Sequence, residues 1–249
     1  MQISKDDIDI LKLYEDSGVD ESYTDKPYEF FSGGANIFAN KVIVEDKKSD
    51  VNISILKAKQ EAEKLVNSVS DLAGLKKVIS EFKLNPLLKF ASNVISGVGV
   101  ENPKLLVITE TPNTDEDRSG VMLSGPTGDM FKKILVAIKS SVETDTYTFP
   151  ASPYRAPGGR LPTFEEMEIS IPFIKKFIEI LKPKVILCMG SLPVNALFGK
   201  NDAITLLRGK WLEYNEIPLM TTFSLSYLLN NKEAKKRAWG DLQLLLQKF

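Results

Sequence analysis

Apolar residues between positions 104 and 222 form short runs that alternate with longer amphipathic stretches. Four of the runs are rich in Val, Ile, Leu, Tyr and Thr, which is typical of buried strands. They are KLLVIT at 104–109, TYTF at 146–149, PKVILCMG at 183–190 and IPLMTT at 217–222. Strands that are separated by helices favour a parallel sheet covered on both faces. We therefore predict an α/β three-layer sandwich, with a central parallel sheet of about four strands and helices on both faces.

Helical periodicity predicts the elements between and around these strands. The predicted helices cover residues 6–17, 54–68, 71–82, 125–140, 163–181 and 232–247. The fifth of them opens on Thr163 with Glu166 three residues later, which is the sequence pattern of a capping box. We divide the chain into a helical or linker extension, residues 1–81, and a domain, residues 82–249.

Residues 19–50 have no clear period and mix charges with five aromatic side chains. One interpretation is a poorly ordered linker. The other is a segment that docks its aromatic residues on the domain or on a protein partner, because disordered linkers are usually poor in aromatics. Both interpretations stay open at this point.

Composition narrows the class of protein. The 249 residues are 43% hydrophobic and 26% charged, with a formal net charge of −1, which is typical of a globular protein and argues against a strongly basic nucleic-acid binder. No apolar run is long enough to span a membrane, and the N-terminus lacks the basic and apolar regions of a secretory signal. We expect a cytoplasmic protein without a membrane association.

The chain contains no histidine and a single cysteine, Cys188. The missing histidine excludes Ser-His-Asp triads, His-Glu-x-x-His zinc sites and imidazole general bases. The lone cysteine excludes an internal disulfide and any site that needs several thiolates. Any chemistry must therefore use carboxylates, lysine, tyrosine, backbone amides or a bound metal.

An acidic loop follows the first predicted strand, in the sequence VITETPNTDEDRSG at 107–120. Ligands of parallel sheets bind beyond the carboxyl ends of the strands, so this loop lies where a site is expected. Asp115, Glu116 and Asp117 could hold a hard cation, although the spacing is not that of a calcium loop. The alternative is a solvated turn that caps a helix. We assign no metal site.

Ordered sequence blocks reveal a resemblance. The blocks TETPNTDEDRSG, YRAPGGRLP, PKVIL, RGKW, SLSYLLN and KKRAWGDL occur in this order between residues 109 and 242. Together they resemble family 4 uracil-DNA glycosylases, particularly the alphaproteobacterial kind, over about residues 82–249. The resemblance implies the fold predicted above and a role in DNA base-excision repair.

The same resemblance implies that most of the family's catalytic side chains are exchanged. Glu110 and Pro112 match the first motif. The phenylalanine that stacks on the flipped uracil corresponds to Leu123, and the asparagine that reads the uracil edge falls near Phe149 or Pro150. The histidine that stabilises the departing uracil corresponds to Ser224. We therefore predict Glu110 and Ser224 as catalytic candidates, and a base pocket formed by Pro112, Leu123, Phe149 and Pro150.

The family's iron–sulfur cluster needs four cysteines. Two of the corresponding positions are Tyr154 and Ser170, and the other two fall in LNPLLKF at 84–90. Cys188 lies inside a predicted buried strand, where it is expected to be a core residue. We therefore expect no iron–sulfur cluster and no other cofactor.

Basic and apolar residues near the predicted loops are the candidate contacts to DNA. They are Arg155, Arg160, Arg208, Lys210, Leu225, Leu228, Lys235, Lys236 and Arg237. Three hypotheses follow. The first is a degenerate superfamily member that binds DNA weakly, with weak or no uracil excision. The second is an active DNA glycosylase that hydrolyses the N-glycosidic bond of uracil or another damaged base through Glu110. The third is a non-enzymatic protein-interaction domain.

Overall fold

The computed structural model describes the backbone of residues 42–248 and the side chains from residue 53 onward. The predicted helix at 6–17 and most of the segment 19–50 lie outside the described residues. Residues 42–50 are helical, because the first described helix, α1, begins at Val42 rather than at residue 54. Among the described residues no helix is long and apolar enough to cross a membrane.

Ten helices and six strands are assigned within residues 42–248. The helices are α1 Val42–Asn67, α2 Leu72–Glu81, α3 Thr114–Ser119, α4 Gly125–Ala137, α5 Phe164–Glu168, α6 Ile171–Leu181, α7 Ser191–Phe198, α8 Ile204–Leu207, α9 Leu225–Asn230 and α10 Lys232–Leu246. The strands are β1 Val98–Gly99, β2 Leu105–Thr109, β3 Thr146–Pro150, β4 Val185–Met189, β5 Trp211–Tyr214 and β6 Ile217–Thr222. Short 3-10 helices cover Pro86–Lys89 and Pro157–Gly159.

The strands form one mixed sheet in the order β1-β3-β2-β4-β6-β5. The four inner strands are parallel and correspond to the four predicted apolar runs. The two outer strands are antiparallel, so the sheet has six strands rather than about four. The α/β prediction and its parallel centre are confirmed, and the strand count is corrected.

Alternate residues of the inner strands enter two apolar layers. Leu106, Ile108 and Cys188 face a core shared with α1, α2, α6 and α7. Leu105 and Val107 face a second core shared with α4, α9 and α10. The predicted coverage of both faces by helices is therefore confirmed, and the helices α1 and α2, which were predicted as part of an extension, contribute side chains to the first core.

The helix predicted over 163–181 is two helices. Thr163 and Glu166 form the predicted capping box at the start of α5, with each side chain contacting the other residue's backbone amide. α5 ends at Glu168, and α6 begins at Ile171 with Pro172 in its first turn. Because proline has no N–H to donate to the preceding turn, the hydrogen bonds of α5 do not continue through Pro172, and a new helix starts here instead of one continuous helix.

Candidate functional site at the carboxyl edge of the sheet

A cavity of about 230 Å³ opens where the inner strands end. Its walls come from the β2–α3 connection, the start of α4, the loop at 155–161 and the start of α9. Six of the residues predicted for the site line it, namely Glu110, Pro112, Leu123, Arg155, Ser224 and Leu225. The position agrees with the rule that ligands bind beyond the carboxyl ends of parallel strands.

Glu110 follows β2 directly and faces the cavity. Burial raises the pKa of this carboxyl above its usual value, while the backbone amides of Leu192 and Ser191 and the hydroxyl of Ser224 favour the ionised form and limit the rise. A Cβ on Gly190 would lie 2.2 Å from Glu110 Oε1, so only glycine fits beside this carboxylate. The Glu110 carboxylate therefore lies against the N-terminus of α7, whose amide groups favour negative charge.

Ser224 has two roles at the other wall. It is the N-cap of α9, and its Oγ accepts a hydrogen bond from the Tyr227 amide at 3.4 Å. Its hydroxyl also interacts with the Glu110 side chain. The structure thus brings the two predicted catalytic residues together in one cavity.

Glu116 is a second carboxylate of the cavity wall, and the structure favours the capping interpretation of the acidic loop. Its Oε2 accepts from the Asn113 amide at 2.9 Å and its Oε1 from the Leu123 amide at 2.8 Å. Asn113 Oδ1 in turn accepts from the Glu116 amide at 3.0 Å, which completes a capping box at the start of α3. No cluster of acidic, Cys or His side chains suited to a metal occurs among the described residues.

Leu123 occupies the wall in a constrained backbone conformation. Its φ is +64°, which is uncommon for a residue with a branched side chain. Its carbonyl oxygen lies so close to Gly128 that a Cβ there would be 2.0 Å away. The Glu116 carboxylate and the tight contact with α4 hold Leu123, only 4% exposed, at the cavity surface.

Arg155 provides the positive charge of the cavity. Its Nη2 donates to Thr114 Oγ1 at 3.0 Å and lies over Gly159, where a Cβ would be 2.6 Å from it. Arg160 instead pairs with Glu166, donating to both carboxylate oxygens at 2.7 Å. Of these two predicted DNA contacts, Arg155 therefore lines the cavity, whereas Arg160 is held in a salt bridge outside it.

Phe149 and Pro150, which were predicted for the base pocket, are not among the described residues that line the cavity. Phe149 is paired with Ile108 across the sheet and enters the first core, where its ring stacks on Phe177 at 4.2 Å between centroids. Pro150 is buried at the end of β3, paired with Thr109. The alternation of side chains along a strand directs Phe149 into the core instead of the cavity.

Two more of the residues predicted to contact DNA instead make contacts within the protein. Arg208 donates to Asp241 Oδ1 and to the Arg237 carbonyl, both at 2.8 Å, and lies over the Phe223 ring. Leu228, suggested as a wedge, is 1% exposed and packs in the second core. Leu225 is 8% exposed; it belongs to the same core and also lines the cavity.

The remaining basic candidates are exposed. Lys210 precedes β5, and Lys235, Lys236 and Arg237 lie in the first half of α10. Lys235 Nζ donates to the Leu229 carbonyl at 3.2 Å, so it is tied to the end of α9. Lys235, Lys236 and Arg237 form a basic cluster in the helix that follows α9.

The positions implied for cluster ligands do not fit an iron–sulfur cluster. Leu87, Tyr154 and Ala156 pack together in a small apolar cluster of their own. The Tyr154 hydroxyl donates to the carbonyls of Phe82 at 3.2 Å and Ile79 at 3.4 Å. The single cysteine, Cys188, is fully buried in β4, where burial raises the pKa of its thiol. Four thiolate ligands cannot be assembled from these residues.

Sequence reasoning named a helix-capping turn in the acidic loop without assigning the pair of residues that forms it, and it missed Leu161. The capping box of Asn113 and Glu116 has a readable signal, since an N-cap residue followed three positions later by Glu is its sequence pattern. Leu161, which is 46% exposed at the cavity mouth, has no such signal because an isolated apolar residue in a loop is common.

Comparison with known proteins identifies the architecture. The model of the Uracil DNA glycosylase superfamily matches residues 96–243, more than half of the chain. A type-4 uracil-DNA glycosylase of Thermotoga maritima is 31% identical over 156 residues, which are 61% of this chain and 80% of that protein.

Two further relatives match shorter stretches. The type-4 uracil-DNA glycosylase of Archaeoglobus fulgidus is 30% identical over 131 residues, which are 51% of this chain and 65% of that protein, just under two thirds of its length. A DNA polymerase of Bacillus phage SP01 is 29% identical over 130 residues, which are 52% of this chain and 14% of the polymerase.

Proposed function

Because the chain belongs to the uracil-DNA glycosylase superfamily, a family of DNA-repair glycosylases, we propose that it binds DNA through the cavity at the carboxyl edge of the sheet and excises uracil weakly or not at all. One observation carries the proposal: the cavity retains Glu110 and Arg155, while Leu123 and Ser224 occupy the positions that correspond to the stacking and leaving-group side chains. In this proposal the cavity keeps the backbone arrangement of a base pocket but lacks most of the side chains that act on the base.

Glycosidic cleavage develops charge at two places. The sugar becomes cationic and the departing base becomes anionic, so an efficient site needs a group for each. The ionised Glu110 carboxylate is suited to the sugar cation or to orienting a water molecule. For the base, Ser224 offers a hydroxyl that already interacts with Glu110 and caps α9. Loss of one donor to a developing anion typically costs about 2.7–4 kcal/mol, or 10²–10³ in rate.

The exchanged side chains also weaken the recognition of uracil. Leu123 provides apolar contact but no aromatic face for stacking on a base. The edge-reading asparagine falls near Phe149 or Pro150, and neither residue has a side-chain hydrogen-bond donor or acceptor. A site that discriminates through hydrogen bonds loses its specificity with them. We therefore expect any base that enters the cavity to be held with little selectivity.

Contacts to the phosphate backbone are supported by charge and placement. Arg155 lines the cavity, and the exposed basic cluster at 235–237 lies at the start of α10, immediately after α9. Lysine and arginine contacts to phosphates give sequence-independent, salt-dependent affinity. With a net charge of only −1 for the whole chain, such a local cluster is sufficient for weak binding.

An active glycosylase with altered chemistry is the second candidate. The observation in its favour is the environment of Glu110, because a buried carboxyl with a raised pKa in a cavity is a common feature of general acids and bases. In this candidate Glu110 would activate water and Ser224 would assist the departing base. The substrate would be uracil or another damaged base.

We also propose that the protein works without an iron–sulfur cluster. The support is the apolar packing of Leu87, Tyr154 and Ala156 and the single cysteine of the chain.

A glycosylase assay on uracil-containing single- and double-stranded DNA separates the candidates. We expect excision to be undetectable or several orders of magnitude below that of an intact type-4 enzyme assayed in parallel. Robust excision that Glu110→Ala abolishes would support the second candidate instead. Salt-dependent binding to undamaged DNA supports the DNA-binding proposal, whereas its absence favours a non-enzymatic protein-interaction domain.

A further inference from the structure

A second cavity of about 210 Å³ lies beside the first and shares one residue with it. Leu161 lines both cavities, so it lies at the boundary between them. The rest of the second cavity is formed by α5, the start of α6 and α7, and includes Phe164, Leu192 and Lys200. Leu192 also contributes the backbone amide that faces Glu110. The two cavities are therefore neighbours across the start of α7.

The rim of the second cavity exposes large apolar side chains. Phe164 is 57% exposed and Leu161 is 46% exposed. Scattered apolar residues on a surface need no explanation, but adjacent ones at the mouth of a cavity mark a binding surface. An exposed phenylalanine presents a π-face on which any nucleobase can stack.

Hydrogen bonds hold the backbone of this rim. Arg160 donates to the Leu161 carbonyl at 2.9 Å and pairs with Glu166, so the loop before α5 is fixed. Phe164 is the first residue of α5, directly after the capping box of Thr163 and Glu166. Preorganised aromatic groups lose little conformational entropy when they bind a ligand. The backbone that carries Phe164 is therefore already ordered in the absence of a ligand.

Lys200 adds a positive charge to the same cavity. It is exposed in the loop after α7, and its backbone amide donates to the Asn195 carbonyl at 3.1 Å. The Asn195 side chain is bonded twice to the backbone of Asp202, which fixes this loop. An aromatic face next to a lysine is the combination that single-stranded nucleic acid recognises, through base stacking and a phosphate contact.

We propose that this second cavity binds the base of the nucleotide adjacent to the one in the first cavity, on single-stranded DNA. Phe164 stacks on the neighbouring base, Leu161 separates the two bases, and Lys200 contacts the backbone phosphate. The inference rests on the proposed DNA binding and adds a preference for unpaired nucleotides next to the extruded one. Selection among bases is not expected, since stacking is tolerant of sequence.

The test measures binding of the full-length chain to fluorescent oligothymidylate. We expect Phe164→Ala to weaken binding about five- to thirtyfold, the lower part of the range for loss of one stacked base. Phe164→Trp should keep the affinity. Phe90→Ala is the matched control, because Phe90 is 60% exposed and lines neither cavity. Lys200→Gln should flatten the dependence of affinity on salt, whereas Phe164→Ala should leave it unchanged.

A second ligand tests the neighbouring-base assignment. A strand of the same length in which thymidine alternates with abasic sites keeps the phosphates and removes each adjacent base. The wild-type protein should lose as much affinity on this strand as Phe164→Ala loses on oligothymidylate, and Phe164→Ala should lose little more. Equal effects of Phe164→Ala and Phe90→Ala, in a protein that binds oligothymidylate, would overturn the subsite. A wild-type protein that binds no DNA would overturn the proposed function itself, and the subsite with it.

Discussion

Replacing Tyr154 by phenylalanine removes one buried hydroxyl and leaves the ring in place. Tyr154 is fully buried, and its ring packs with Leu87 and Ala156. Its hydroxyl donates to the carbonyl of Ile79, in the last turn of α2, and to the carbonyl of Phe82, the residue that follows the helix. The last carbonyls of a helix have no partner within the helix. Tyr154 therefore ties the loop after β3 to the end of α2, at a position where the resemblance implies a cluster cysteine.

The size of the effect follows from this geometry. The single O–H shares its proton between two carbonyls, at 3.2 and 3.4 Å, so about one hydrogen bond is lost. Because the acceptors stay buried, the free energy of unfolding should fall by about 1–3 kcal/mol. With a slope of about 2 kcal/mol per molar urea, the unfolding midpoint should decrease by about 0.5–1.5 M.

Equilibrium unfolding in urea, followed by circular dichroism, measures this change for Tyr154→Phe. Tyr214→Phe is the control, because Tyr214 is partly exposed in the edge strand β5 and its substitution should leave the midpoint nearly unchanged. If both variants unfold at the same urea concentration as the wild type, the Tyr154 hydroxyl contributes no measurable stability. Its hydrogen bonds then do not substitute for a cluster in holding this loop to the end of α2. A decrease for Tyr154→Phe alone supports that role.

Four further predictions concern the cofactor, the pH dependence, DNA binding and the pocket. Protein purified anaerobically should be colourless and lack stoichiometric iron and labile sulfide; a [4Fe–4S] spectrum would contradict the fit at Tyr154. Burial raises the pKa of folded Glu110 above its unfolded value, so its contribution to stability is present at low pH and is lost as pH rises through the folded pKa. The free energy of unfolding of Glu110→Gln, relative to that of the wild type, should therefore increase from acid to neutral pH. Stability curves of the two proteins that stay parallel across this pH range would contradict this. Changing the basic cluster 235–237 to alanine should weaken DNA binding and flatten its salt dependence, whereas an unchanged slope would place the phosphate contacts elsewhere. Ser224→His, alone or with Pro150→Asn, should raise uracil excision if the pocket backbone still matches that of the family, and no gain in either variant would mean that the backbone differs too.

The inner sheet was predictable because each inner strand is a short apolar run buried on both faces. The edge strands were not. β1 has two residues, Val98 and Gly99, and Gly99 adopts a φ of +139° beside the backbone of Thr146. β5 mixes exposed and half-buried residues in WLEY. Strands this short and partly solvated carry no period in the sequence, because their pairing depends on the neighbouring strand that is already in place.

The candidate site was predictable where position along a strand decides placement. Glu110 directly follows a buried strand, so the fold alone brings it to the carboxyl edge of the sheet. Phe149 was misplaced because a sequence resemblance matches positions along the chain but does not determine which face of the sheet a side chain points to. Leu228 was misplaced in a similar way, since a leucine three positions after Leu225 on a helix can face the core as well as DNA.

In the proposed function, the surroundings of Glu110 account for a carboxylate in the cavity that does not support efficient catalysis. Its carboxylate faces the first amides of α7, and Gly190 leaves just enough room for it. An acidic group at a helix N-terminus typically gains about 0.3–1 kcal/mol, which here offsets part of the burial cost that raises the pKa of Glu110. Ser224 likewise caps α9 while it contacts Glu110. Ser224 therefore has a structural role that does not depend on turnover, and the fold accommodates the Glu110 carboxylate, so their presence in the cavity is by itself no evidence of excision. Under the proposal, the chemistry of the site depends on Leu123 and on what Ser224 can donate, because these are the cavity-lining side chains proposed to contact a bound base.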